Sequence, residues 1–172
     1  MTFDSSTIVL NRVSSLHGNS WFRLPERPLF SVLVPIFNRA HLIEECLASV
    51  CRQTYKAWEL VVVDDGSCDD IDIVMAQYTD VVFIRLAANS GVGNAFRVAA
   101  ENSSGDIIGM LGSDDALEST AIERMVKAHK SNLDCSLITS SQVPCDHTLT
   151  PLGEPEFRPR QTNSLIDGIE CG

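Results

Sequence analysis

Two pairs of adjacent aspartates follow apolar runs in this chain of 172 residues. Asp64 and Asp65 open the sequence Asp-Asp-Gly-Ser, and Asp114 and Asp115 close the sequence Gly-Ser-Asp-Asp. A carboxylate at a strand end can accept hydrogen bonds from a nucleobase N–H or a ribose hydroxyl. Adjacent carboxylates repel unless a cation or protons neutralise them, and Mg²⁺ and Mn²⁺ take carboxylate together with phosphate oxygens. The pairs are therefore candidates for nucleotide and cation binding, and the alternative is that they only cap turns and helices.

Three other features could contact an anionic or aromatic ligand. The loop at 89–93 contains two glycines, and its backbone amides could line an anion, although position 96 is not the glycine that a dinucleotide fingerprint needs. Arg97 could reach a phosphate or pair with Glu101 one helical turn away. Phe37 could stack on a base or lie buried beneath the first helix.

The elements that position these residues alternate between apolar strands and amphipathic helices. The run at 30–36 is typical of a strand buried on both faces. Asn38 is placed to cap the following helix, Thr120 and Glu123 have capping-box spacing, and Gly105 is placed to end the third helix. This alternation predicts an α/β fold, a mostly parallel sheet with helices on both faces, and ligands at the carboxyl ends of its strands. The predicted strands are 30–36, 58–65, 81–87, 106–111 and 135–139, and the predicted helices are 40–53, 69–78, 92–100 and 120–130.

The periodicity divides the chain into three parts. Residues 1–29 are predicted to form an N-terminal arm, residues 30–143 the ligand-binding domain, and residues 144–172 an extended segment with four prolines. The length suits about one domain.

Composition excludes several classes of protein. The net charge of −10 argues against a nucleic-acid partner. No apolar stretch approaches the roughly 20 residues of a membrane helix, and no signal peptide is recognisable. The six cysteines form no zinc pattern, so we expect reduced thiols and a cytoplasmic location.

Residues 31–139 resemble the N-terminal, nucleotide-sugar-binding part of an inverting glycosyltransferase of family 2, which has the GT-A fold. The resemblance lies in four segments, of which Gln-Thr-Tyr followed by VVVDDGS is the most specific. The segments are SVLVPIFNRAHLIEECLASVCRQTY (31–55), WELVVVDDGSCDD (58–70), NSGVGNAFRVAAENSSGDII (89–108) and MLGSDD (110–115).

This resemblance implies transfer of a sugar from a nucleotide-diphospho-sugar, typically a UDP-sugar, to an acceptor hydroxyl with inversion. Pro35, Phe37 and Asn38 match the family's loop that holds the base. Asp65 matches the carboxylate that contacts the base, and Asp64 is its neighbour in the donor site.

The same resemblance implies a diphosphate and metal site. Gly91 and Asn94 match the loop and helix start that flank the ribose and diphosphate. Ser113, Asp114 and Asp115 match the acidic motif, in which Asp114 and Asp115 would bind Mg²⁺ or Mn²⁺ as cofactor. The cation stabilises the departing nucleoside diphosphate.

The chain departs from the family pattern at three places. Gly112 stands where the family often has a first aspartate. Phe96 and Arg97 replace the family's Arg-Asn, so Arg97 is the candidate substitute for the arginine, displaced by about 100° around the helix. Downstream acids are available as a catalytic base but match no family pattern, so the base stays unassigned and the acceptor half is expected to be missing. These acids are Glu154, Glu156, Asp167 and Glu170.

The resemblance leaves the wider role open. The implied acceptor is a saccharide or a lipid-linked molecule, and the latter would place the protein at the inner membrane face. A homo-oligomer or a second chain could supply the acceptor half. The alternative function is a non-catalytic module that binds a nucleotide-sugar or another protein. A phospho-receiver domain would need a lysine after the fifth strand, where this chain has Ser140, Ser141 and Gln142.

Overall fold

The predicted alternation of strands and helices is confirmed in the computed structural model. The structure describes residues 2–3, 8–12, 24–133, 135–146 and 148–154. Its strands are β1 (Thr2–Phe3), β2 (Ile8–Arg12), β3 (Phe30–Ile36), β4 (Trp58–Asp64), β5 (Val82–Arg85), β6 (Ile107–Met110), β7 (Ala116–Leu117) and β8 (Cys135–Ser140), and its helices are α1 (Ala40–Cys51), α2 (Ile71–Met75), α3 (Val92–Glu101) and α4 (Ala121–Ser131).

Four parallel strands form the main sheet, in the order β5-β4-β3-β6. The register aligns the ends of three of them, because Ile36 lies opposite Asp64 and Asp64 lies opposite Arg85. The loops that leave these strands therefore start at the same level. This alignment follows from the apolar strands, whose pairing buries both faces of β3 completely.

Each face of the sheet has its own core. One face packs alternate residues of β3, such as Val32 and Val34, against α1, α2 and α4. On the other face, Leu33, Val61 and Val63 pack against Ala95 and Ala99 of α3. The predicted placement of helices on both faces is thus confirmed, and the small alanine side chains bring α3 close to the strands.

The fifth predicted strand is not part of the parallel sheet. It is β8, which pairs antiparallel with β2 in a separate two-stranded sheet, with an irregularity between Asn11 and Arg12. The partner strand lies in the N-terminal arm, where sequence periodicity is too weak to predict it. A second short pair joins β1 in parallel to β7.

Two predicted helix caps are wrong. Asn38 does not cap α1, because its φ of +52° turns the chain and its side chain accepts a hydrogen bond from the Cys68 amide at 2.8 Å. Thr120 and Glu123 do not form a capping box, since the Thr120 hydroxyl donates to Glu118 at 2.8 Å. For Asn38 a contact with a residue distant in sequence replaces the capping hydrogen bond, and for Thr120 a neighbouring carboxylate competes for the hydroxyl.

Gly105 does not end α3 as predicted, because the helix ends at Glu101. Gly105 instead allows a close approach, since a Cβ there would lie 2.2 Å from the Ser31 Oγ. No helix in the described ranges is long and apolar enough to cross a membrane.

Candidate active site

The loops at the carboxyl edge of the sheet form one connected surface. The Asn38 amide donates to the Ser67 Oγ at 2.8 Å, which joins the loop after β3 to the loop after β4. Gly66, with a φ of +76°, lies against the next loop, because a Cβ there would be 2.7 Å from the carbonyl carbon of Ala88. Only glycine suits that backbone conformation and that contact. The loops that follow β3, β4 and β5 are therefore held together by direct contacts.

Asp64 is buried beneath this surface. Its side chain is fully inaccessible, and one carboxylate oxygen accepts the Ser67 amide at 2.9 Å. The other lies 3.1 Å from the Nε of Arg85. At this distance the two groups form an ion pair, although their geometry is not that of a hydrogen bond. The positive charge of Arg85 therefore compensates the negative charge of the buried oxygen. Arg85 also bonds Asp72 and donates to the Ser67 carbonyl at 2.8 Å. Asp64 therefore holds the loop at Ser67 both directly and through Arg85.

Asp65 points to the loop after β5. It is 3% exposed, and it accepts hydrogen bonds from the Ser90 amide at 2.8 Å, the Ser90 hydroxyl at 2.7 Å and the Gly91 amide at 2.8 Å. Burial alone would raise the pKa of Asp65, but these hydrogen bonds outweigh it and hold the pKa below its usual range. A carboxylate has about four acceptor positions. The three bonds leave Oδ2 able to accept one more donor.

Two residues of the predicted base-binding loop differ in accessibility. Phe37 is 41% exposed, so its ring is available for stacking and is not buried beneath α1. Pro35 is buried within β3, opposite Val63, and supports the loop from inside the sheet.

The start of α3 is open to solvent. Gly91 has a φ of +93°, and apart from its chain neighbours no described residue comes within 4 Å of where its Cβ would be. The side-chain Nδ2 of Asn94 donates to the Ser90 Oγ at 2.7 Å, and its Oδ1 accepts from Arg97 at 2.8 Å. Arg97 also pairs with Glu101 at 2.5 Å. The guanidinium is therefore engaged on its own helix.

The second aspartate pair lies at the other side of this edge. Ser113 is buried, whereas Asp114 is exposed and Asp115 is half-buried. A Cβ on Gly112 would lie 2.8 Å from an Asp115 oxygen and 3.1 Å from an Asp114 oxygen. One oxygen from each carboxylate thus approaches the same point, in the space that the family's first aspartate would need.

Two converging carboxylates fit Mg²⁺ or Mn²⁺, which keep several waters and take phosphate oxygens as further ligands. Within the described ranges no group of three or more His, Cys, Asp or Glu side chains is arranged to hold a metal ion. A cation at Asp114 and Asp115 would therefore need ligands from solvent or from a bound phosphate.

A cavity of about 480 Å³ opens beside this pair. Its walls include Asp146 and Leu149, from the segment after β8, and Cys46 of α1. The Cys46 thiol donates to the Gly112 carbonyl at 3.4 Å. Burial, with the negative charges of Asp115 and Asp114, raises the pKa of Cys46 to about 12. The thiol is therefore protonated at neutral pH, and it supports the Gly112 turn without acting as a nucleophile.

Sequence reasoning missed two residues of the site. Arg39 pairs with Asp114 at 2.6 Å, and its position directly after Asn38 at the carboxyl edge was the available signal. Gln53 is buried and joins the end of α1 to the start of α4, which follows the Gly112 turn. The available signal was its place at the start of the Gln-Thr-Tyr motif, although that motif does not indicate which residues Gln53 contacts. Of the downstream acids, Glu154 is exposed, and Glu156, Asp167 and Glu170 lie outside the described residues.

Comparisons with known proteins point to one family. The family described as "Glycosyl transferase family 2" matches residues 31–170. Chondroitin synthase of Pasteurella multocida is 32% identical over 147 residues, which cover 81% of this chain and 15% of that protein. An uncharacterized glycosyltransferase of Rickettsia prowazekii is 32% identical over 99 residues, which cover 58% of this chain and 31% of that protein. The chain thus spans about a third or less of these relatives.

Solved structures give the same result for the fold. S. aureus TarS 1-349 in complex with UDP has a TM-score of 0.59 and 28% identity, over 61% of this chain and 33% of that chain. The same fragment in complex with UDP-GlcNAc also has a TM-score of 0.59, with 28% identity, over 61% of this chain and 32% of that chain. The α/β architecture with its parallel sheet is that of the GT-A glycosyltransferases. Since the family match extends over most of the chain, the protein belongs to glycosyl transferase family 2.

Proposed function

We propose that this chain binds the donor in a reaction that transfers a sugar from a UDP-sugar to an acceptor hydroxyl, with inversion and with Mg²⁺ or Mn²⁺. One observation carries the proposal. A buried carboxylate with one acceptor position left, Asp65, and a converging carboxylate pair, Asp114 and Asp115, lie at one edge of the sheet. The TarS fragment, similar to this chain over part of its length, was solved with UDP and with UDP-GlcNAc.

The nucleobase of the donor would bind at the side of the sheet edge where Asp65 lies. The imide N–H of uracil donates to the remaining acceptor position of Asp65, and the exposed ring of Phe37 stacks on the base. Asn38 and Gly91 shape the loops on either side. Asp64 acts indirectly, because its bonds to Ser67 and Arg85 hold the loop that presents Asp65.

The diphosphate would bind at the other side, where Asp114 and Asp115 would hold the cation. A bound Mg²⁺ or Mn²⁺ supplies charge neutralisation for the departing nucleoside diphosphate. The acceptor oxygen forms a bond to the anomeric carbon while the bond from that carbon to the diphosphate oxygen breaks. The hydroxyl proton passes to a base, which we propose to lie outside the described residues or on a partner chain. Attack opposite the leaving group inverts the anomeric centre.

Calorimetric titration with UDP, with and without Mn²⁺, tests this function. We expect UDP binding that depends on Mn²⁺ and that weakens by about tenfold or more in Asp114→Asn and Asp115→Asn. Asp80→Asn, an exposed aspartate before β5, is the matched control and should leave affinity unchanged. Unchanged affinity in both site variants would contradict the metal assignment.

Uridine separates the base contact from the phosphate contact. Asp65→Asn should weaken uridine and UDP by a similar factor, because the lost acceptor faces the base. If the wild-type chain binds neither UDP, GDP nor dTDP, the proposed donor site is wrong. Binding without donor hydrolysis or transfer to any acceptor would favour the non-catalytic module.

A further inference from the structure

Arg39 is a cation held against the proposed metal ligands. Its Nη1 lies 2.6 Å from the Oδ2 of Asp114, and the two side chains are 47% and 45% exposed. Asp114 turns its other oxygen toward the Gly112 turn, where the Asp115 oxygen also lies. Arg39 therefore places a positive charge against one of the two proposed metal ligands.

The backbone at Arg39 is fixed although its side chain is half exposed. The preceding Asn38 bonds Ser67 and Cys68, both at 2.8 Å. The following Ala40 donates its amide to Asp69 at 2.8 Å. The anchored backbone keeps the guanidinium beside the site, while its solvent-facing position leaves room for it to change partner.

Two other arginines at this edge, Arg85 and Arg97, are held by several hydrogen bonds and ion pairs. Arg85 is bound to Asp64, Asp72 and the Ser67 carbonyl. Arg97, the candidate substitute for the family's arginine, is bound to Asn94 and Glu101. Among the described residues, Arg39 forms only its exposed ion pair with Asp114, and such a pair typically contributes about 0–1 kcal/mol and is easily exchanged.

We propose that Arg39 exchanges partners when the donor binds. Without nucleotide the guanidinium neutralises Asp114 and opposes binding of a divalent cation. When the donor and the cation bind together, the guanidinium moves to the diphosphate oxygens, for which its planar fork is suited, and Asp114 becomes available to the cation. Arg39 thus makes metal binding depend on the diphosphate. This inference rests on the donor site proposed above.

The exchange predicts opposite effects on two affinities. Arg39→Gln removes the positive charge, so Mn²⁺ alone should bind about 2- to 5-fold more tightly, as expected for loss of one exposed ion pair. UDP in saturating Mn²⁺ should bind about tenfold or more weakly, because a charge-assisted contact to phosphate is lost. Uridine, which has no phosphate, should bind as tightly as it does to the wild-type chain.

Mn²⁺ binding is measured by electron paramagnetic resonance of the free ion, and nucleotide binding by calorimetry. Lys127→Gln is the matched control, because it removes one positive charge from an exposed position of α4. Arg39→Lys keeps the charge but not the fork, so it should bind Mn²⁺ as the wild type does and UDP more weakly. It tests the exchange even if Arg39→Gln is unstable.

The outcomes separate this inference from the donor site itself. Weaker binding of both Mn²⁺ and UDP in Arg39→Gln would show that Arg39 only positions Asp114, and no change in either would show that it has no role. Each result overturns the exchange while UDP binding by the wild type upholds the donor site. If the wild type binds no nucleoside diphosphate, both are wrong.

Discussion

Replacing Gln53 with methionine tests how much the buried hydrogen bonds between the end of α1 and the start of α4 stabilise the fold. Gln53 is fully buried; its amide nitrogen donates to the carbonyls of Ser49 at 3.1 Å and Glu118 at 2.8 Å, and its Oε1 accepts the Ile122 amide at 3.0 Å. Ile122 lies in the first turn of α4, where amides have no intrahelical acceptor. Methionine fills a similar volume but makes none of these bonds.

The expected loss is dominated by one orphaned donor. A buried N–H without a partner costs about 1–3 kcal/mol, and two carbonyls that each lose one donor add about 1 kcal/mol. We therefore expect Gln53→Met to lose about 2–4 kcal/mol in the free energy of unfolding, which corresponds to a fall in Tm of roughly 5–15 °C for a chain of this size.

Urea denaturation followed by circular dichroism measures this loss, with Thr54→Ala as the neighbouring control. Thr54 is exposed, and its hydroxyl makes one bond to Glu123, at 2.8 Å, so its removal should cost less than about 1 kcal/mol. A Gln53→Met loss no larger than that of Thr54→Ala would refute the reasoning. Because Gln53 also bonds the Glu118 carbonyl, three residues after Asp115, affinity for UDP should fall along with stability.

Three further outcomes are expected. Gly66→Ala should lose about 2–4 kcal/mol or fail to fold, because its φ is positive and the Cβ would meet the Ala88 backbone at 2.7 Å; urea denaturation measures it. Gly93→Ala, in α3 with open space around its Cβ, should instead gain about 0.5–1 kcal/mol in the same assay. Since the pKa of Asp65 is lowered in the folded state, its stabilisation is complete above the ordinary carboxyl pKa of about 4 and is lost as the pH falls through the lowered value. Acid titration of the unfolding free energy should show a shallower slope below that pH in Asp65→Asn, and an equal slope in both proteins would contradict the assignment.

Much of the fold could be predicted because its signals are local. The strand at 30–36 has the bounds of β3, since a run that is apolar on both faces must be covered on both sides. The helical spacing of Ala95 and Ala99 likewise placed α3 on the sheet. Such periodicities depend only on neighbouring residues.

What could not be predicted depends on contacts between distant residues. The Asn38 side chain bonds Cys68, and Gln53 bonds Ile122, so each residue serves an element remote in sequence. β8 could be predicted as a strand but not its partner β2, because an antiparallel pairing across the whole domain leaves no local pattern. Arg39 is a surface residue by sequence, and only the meeting of two loops brings it to Asp114.

Two alanines of α3 set the distance between this helix and the sheet. Ala95 and Ala99 let the helix rest directly on Leu33, Val61 and Val63, and the same helix begins just after the amides that hold Asp65. A larger side chain in this closely packed layer would lift the helix by part of an ångström. The lift would pull the Ser90 and Gly91 amides away from the Asp65 carboxylate, so the thickness of an alanine sets how closely the loop after β5 meets Asp65.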